Sequence, residues 1–254
     1  MFIITIILIL GSQLIQIFNS AKNTIILLSN LSEIMSPIIL TLMVASGGSV
    51  SASIYKPAVA FLSGGIINLI ISVILPLITL SAIFGVLNVS SDTIKLNKFS
   101  ETINSLIKWI LGLISAVFGL FLTIQGITSA LHDGISLRAT KYTISNSIPL
   151  VGSMFKDGFD LVVAGSILIK NSIGLASIFA IFYLILSPVA HMFVFSFLLK
   201  FIAGITEPIA DKKISDLCIV GSKTISYLIT SVLIVGLMIF ISVLLMIFSA
   251  NAFI

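Results

Sequence analysis

Charge is what this 254-residue chain has least of: nine acidic and thirteen basic residues amount to 9% of it, against 58% hydrophobic residues. Soluble domains carry about 25% charged residues, and so few charges cannot cover a folded particle of this length in water. Most of its surface must face a medium as apolar as its side chains, which is lipid. Cysteine is nearly absent. Cys218 stands alone, which excludes an intrachain disulfide, a CxxC pair and a thiolate metal centre. The two histidines, His132 and His191, lie far apart with no HExxH pattern, so no metal is expected.

Catalytic signatures are missing as well. There is no phosphate-cradling glycine loop followed by Lys, no GxSxG elbow and no carboxylate pair in a dry apolar setting, so neither an enzyme nor a cofactor is expected. The net charge of +4 comes from Lys and Arg scattered singly or in pairs. Without a basic patch or an aromatic platform, nucleic acid is not a partner. The scatter instead matches cations at the ends of membrane helices.

What the sequence has is long apolar runs. A crossing of about 30 Å of hydrocarbon takes roughly 20 residues. Runs 1–18, 25–45, 58–87, 104–131 and 217–250 meet or approach that length, and 161–205 holds one helix or two short ones. The expectation is an all-α polytopic transmembrane bundle of six or seven helices, 1–254 forming a single membrane domain. A barrel is excluded because barrel strands alternate over about ten residues, whereas these runs are uniformly apolar. Polar connections are expected at Asn19 to Thr24, Ser46 to Pro57, Asn88 to Ile103, His132 to Asp160 and Thr206 to Ser215. Run 1–18 lacks a preceding basic region and a small-residue cleavage site, so it reads as a retained helix; it is equally consistent with a segment inside a longer protein.

Small residues gather at Ser46, Gly47, Gly48, Ser49, Ser51 and Ser53, at Ser63, Gly64 and Gly65, and along Gly112, Ser115, Ala116 and Gly119. The last set suits close helix packing in lipid; the first suits either packing or a helix break beside a pathway.

The block Lys98-Phe99-Ser100-Glu101 with Lys108 matches Lys213-Ile214-Ser215-Asp216 with Lys223 at an offset of 115 residues. Pro37 and Pro76 are echoed by Pro149 and Pro188 at 112. Duplication and coincidence both remain open in so apolar a sequence. If duplicated, the units are 34–131 and 146–250, preceded by helix 1–18, with any pathway near their interface.

Polar positions inside apolar runs are the candidates for a pathway or helix break: Ser46, Gly47, Gly48, Asn68, Pro76, Gln125, Lys170, Asn171, Pro188 and His191. Lys170 reads in two ways. In a helix over 158–186 it sits near mid-membrane and must face a partner or water; before a helix over 172–199 it is an interfacial anchor paired with Lys200, which is the favoured placement. His191 is read as a packing residue before a proton relay. Asp133, Arg138 and Lys141, then Glu207, Asp211, Lys212 and Lys213, mark charged connections that could contact partner subunits.

The polar segments ASGGSVSAS (45–53), SALHDGISLRATKYTISNSIPLVGSMFKDGFD (129–160), LIKNSIGL (168–175) and EPIADKKISD (207–216) together resemble the membrane region of the stage III sporulation protein AE family of endospore-forming bacteria. The resemblance covers nearly the whole chain. It implies a subunit of the complex linking mother cell and forespore, in the mother-cell-derived outer forespore membrane. It also implies partners that include an ATPase, ring-forming membrane-anchored subunits and a forespore protein, with a homo-oligomer left open. Family members carry an extracytoplasmic region ahead of the membrane part, so the apolar start of this chain implies truncation and leaves the topology of 1–18 open. A permease-like or export-gate-like role is the leading expectation, and a non-conducting scaffold that anchors partner subunits is the alternative.

Overall fold

The computed structural model describes the backbone of residues 2–90, 96–147, 152–209 and 212–249, and side chains from residue 5 onward within those ranges except 97, 124–157, 159 and 209. Every described element is helical: α1 (Phe2–Ala45), α2 (Ser49–Ala60), α3 (Leu75–Ser90), α4 (Asn97–Ser147), α5 (Gly152–Ile209) and α6 (Lys212–Phe248). Two π-helical stretches, Phe61–Ile67 and Ile70–Ile74, join α2 to α3. Among the described residues five helical segments are long and apolar enough to cross a membrane: Thr5–Ala45, Ser49–Ser90, Lys98–Thr123, Asp160–Pro208 and Lys212–Phe248.

Six or seven spans were expected, and five such segments are found. The difference lies where short polar residues were read as breaks. Asn19 to Thr24 is helical throughout, so 1–18 and 25–45 are one helix of 44 residues. The physical reason is local. The Thr24 hydroxyl donates to the Ser20 carbonyl at 2.8 Å, and Ala21 and Ile25 are fully buried. A hydroxyl returned to the preceding turn leaves nothing polar to solvate, and in lipid the helix is the cheapest way to satisfy the backbone. Thr41 on Pro37, Ser63 on Val59, Ser177 on Ile173 and Ser231 on Tyr227 repeat the pattern at 2.8 to 2.9 Å.

The other expected connections shrink too. Lys56 and Pro57 lie inside α2, and only residues 46–48 separate α1 from α2. That break has a defined geometry. Gly47 takes φ of 89°, its N–H donates to the Val44 carbonyl at 3.0 Å, and the Gly48 N–H donates to the Met43 carbonyl at 2.8 Å. This is a Schellman termination, which needs a residue without Cβ at the left-handed position. The stretch His132 to Asp160, expected as a connection, is helical to Ser147 and again from Gly152, and of Thr206 to Ser215 the described residues belong to α5, which ends at Ile209, and α6, which starts at Lys212.

The chain divides into two compact units, each of three separated stretches. Unit 1 comprises residues 1–28, 66–115 and 183–236. In it α5 and α6 pack antiparallel through small residues. Ser196 and Ser222 share a 2.9 Å hydroxyl contact, and each hydroxyl also donates to the other's carbonyl at 3.2 Å. The Ser215 hydroxyl donates to the Ala203 carbonyl at 3.0 Å. A Cβ on Gly85 of α3 would stand 2.6 Å from Val220 Cγ1 of α6, so that contact exists only because the side chain is absent. Unit 2 comprises 29–65, 116–182 and 237–254. Ile39, Met43, Tyr55, Leu62, Met246 and Lys170 are among its buried side chains. Neither unit coincides with 34–131 or 146–250.

The π stretches precede Pro76. A proline in a helix lacks an N–H and crowds the carbonyl four residues back, here Ser72 within the second stretch, and the wider π turn is an established way of accommodating such a defect.

Candidate functional site

Unit 1 holds a polar recess in otherwise apolar helices. Glu101, Asn104 and Lys108 fall at i, i+3 and i+7 on α4, so they share one helical face. They line an open cavity of about 530 Å3 together with Lys200 of α5 and Lys223 and Tyr227 of α6. A second cavity of about 330 Å3 shares Glu101, Asn104 and Lys223 and adds Asn88, Lys212 and Asp216. The Ser81 hydroxyl donates to Asn104 Oδ1 at 2.7 Å. Asn88 Oδ1 accepts the Leu96 N–H at 3.0 Å, tying the end of α3 to the chain entering α4.

Lys212 opens its apolar segment and Glu101 and Asp216 lie within the first turns of theirs, whereas the three lysines of the larger cavity lie further along. Lys108 is ten residues into Lys98–Thr123, Lys223 is eleven into Lys212–Phe248, and Lys200 lies eight before the end of Asp160–Pro208. At 1.5 Å per residue they stand about 12 to 17 Å along their helices. Lys200, an exposed residue of α5, lines the larger cavity.

Unit 2 contains a buried cation. Lys170 is 0% exposed, and its Nζ donates to the Ser249 carbonyl at 2.6 Å, just past the C-terminus of α6, where the helix dipole favours positive charge. The Ser249 hydroxyl donates to the Tyr55 hydroxyl at 3.1 Å, and Tyr55 is itself 1% exposed. The helix expected to start at 172, with Lys170 as an interfacial anchor ahead of it, begins earlier: α5 runs unbroken through Lys170, and the buried ammonium is matched in part by the carbonyl of Ser249 past the end of α6.

A groove of about 570 Å3 between α1 and α2, also in unit 2, is lined by Glu33, Ser36, Thr41, Ser49, Ser53 and Lys56. The Ser36 hydroxyl is buried without a hydrogen-bond partner, a defect that a hydrated groove would relieve.

The remaining candidates are dispersed. Ser46 is buried and its hydroxyl donates to the Met43 carbonyl at 2.9 Å, so with Gly47 and Gly48 it builds the helix break. Asn68 is exposed between the π stretches, Pro76 is exposed on α3, Pro188 is half-buried and His191 is exposed on α5, and Asn171 is half-buried beside Lys170. Glu207 and Lys212 are exposed, and Lys213 is half-buried. The side chains of Gln125, Asp133, Arg138 and Lys141, and the whole of Asp211, lie outside the described residues. Glu101, Lys108, Asp216 and Lys223 were legible only as a repeating charge pattern, and Asn104 not at all; the i, i+3, i+7 spacing of Glu101, Asn104 and Lys108 was the signal that these three share a face. Among the described residues no group of three His, Cys, Asp or Glu could hold a metal.

No solved structure matches the chain. A curated protein of Bacillus subtilis (strain 168), named stage III sporulation protein AE, is 30% identical over 250 residues, covering 98% of this chain and 62% of the relative. The chain thus spans somewhat under two thirds of that relative's length. The family model for stage III sporulation protein AE matches residues 1–250, and the chain belongs to the stage III sporulation protein AE family.

Proposed function

We propose that the chain is a membrane subunit of the complex joining mother cell and forespore during endospore formation, with a permease-like or export-gate-like part in passage across the mother-cell-derived outer forespore membrane. Family membership supports the sporulation setting. The observation that carries the transport reading is the recess of unit 1, where Glu101, Lys108, Lys200 and Lys223 open onto one cavity within apolar segments. An ammonium against hydrocarbon costs from about 3 to more than 10 kcal/mol depending on how it is estimated, so these groups call for water or a counter-charge. A hydrated recess is what a conducting subunit needs and a purely structural one does not. The chain supplies no nucleotide-binding motif of its own, so energy coupling would fall to an ATPase partner, with ring-forming subunits or further copies completing the path.

The test uses single cysteines in a Cys218→Ala background in sporulating cells. Ser105→Cys and Ser226→Cys, both lining the cavity, should react with a membrane-impermeant thiol reagent. Leu120→Cys, at an exposed apolar position on α4, should be protected. Protection at all three would leave the scaffold reading.

A further inference from the structure

One lysine from each of α4, α5 and α6, namely Lys108, Lys200 and Lys223, lines the larger cavity of unit 1 against a single carboxylate, Glu101. The adjoining cavity adds Lys212 and Asp216, so four cations face two anions and the recess carries an excess of two positive charges. Among the described residues no ion pair ties Lys108, Lys200 or Lys223 to a carboxylate. Their ammonium groups are therefore available to an anion from outside. Tyr227, Ser105 and Asn104 add neutral donors around the same space. A set of point-charge ammoniums with hydroxyl and amide donors suits an oxyanion carrying several acceptor oxygens. Basic recesses between membrane helices take lipid phosphates by this chemistry.

We propose that this cavity is a phosphate-binding site, filled by the phosphodiester of an anionic phospholipid or by free phosphate. The site is open rather than enclosed, so a headgroup can enter from the side while its acyl chains stay against the apolar helices. It does not depend on whether the subunit conducts.

The test is thermal unfolding of the purified 254-residue chain in neutral detergent, titrated separately with phosphatidylglycerol, phosphatidylcholine and inorganic phosphate. Phosphatidylglycerol is expected to stabilise the protein where phosphatidylcholine does not. At a factor of about five per lysine, the combined Lys108→Gln, Lys200→Gln and Lys223→Gln variant should bind it about 100-fold more weakly. Stabilisation of the wild type by inorganic phosphate, lost in the same variant, would identify the free anion as the source. If neither phosphate source stabilises the wild type, or if the triple variant keeps the preference, the proposal fails. Should the triple variant not fold, Glu101→Gln decides: removing the opposing carboxylate should tighten binding about fivefold, and unchanged binding overturns the assignment.

Discussion

Lys170 Nζ and the main-chain carbonyl of Ser249 meet at 2.6 Å, so a lysine that is wholly buried in unit 2 also closes the end of α6. The contact joins residues 79 apart in sequence and draws in Tyr55 through the Ser249 hydroxyl. Removing the cation takes the donor from a part-buried carbonyl, at up to about 1–3 kcal/mol. Lys170→Met should therefore lower the unfolding temperature in detergent and speed hydrogen exchange in the last turn of α6. Unchanged exchange there would show that the cap contributes nothing.

The turn after α1 requires a left-handed residue at Gly47. Gly47→Ala should destabilise by about 1 kcal/mol, read as a lower melting temperature. Gly48→Ala, at φ −87°, should cost less, and equal costs for the two would argue against the termination geometry.

Gly85 and Gly112 make a matched pair. A Cβ on Gly85 meets Val220 at 2.6 Å, whereas nothing lies within 4 Å of one on Gly112. Gly85→Ala should cost about 1–3 kcal/mol through overpacking, and Gly112→Ala should be neutral or stabilise by up to about 1 kcal/mol. Thermal melts of both variants check this directly.

Ser196 and Ser222 exchange hydrogen bonds with each other's side and main chains. A double-mutant cycle with Ser196→Ala and Ser222→Ala should return a coupling of about 0.6 kcal/mol, the usual scale for interhelical hydrogen bonds in lipid. Strict additivity would mean that the helices are held by packing alone.

Helical class and membrane character were readable because they depend on composition and run length, which need no partner. Helix count was not. Whether Asn19 to Thr24 interrupts a helix depends on where its hydroxyls and amides find partners, and Thr24 finds one on its own helix. The Ser46–Gly48 break was flagged because glycine pairs and serines favour turns; its Schellman hydrogen bonds were not, since they follow from backbone angles. Lys170 was ambiguous for a related reason: a lysine inside an apolar run is an anchor or a buried cap according to what lies opposite, and Ser249 is supplied by a different helix.

By itself the sequence determined that this chain lives in lipid, that it is helical, and that its scarce charges mark special positions, because a backbone in hydrocarbon has few ways to satisfy itself. Only the tertiary structure decided which of those charges meet. Lys108, Lys200 and Lys223 come from three helices and share a cavity, a neighbourhood set by the packing of Gly85 on Val220 and Ser196 on Ser222 and by no local pattern in the chain.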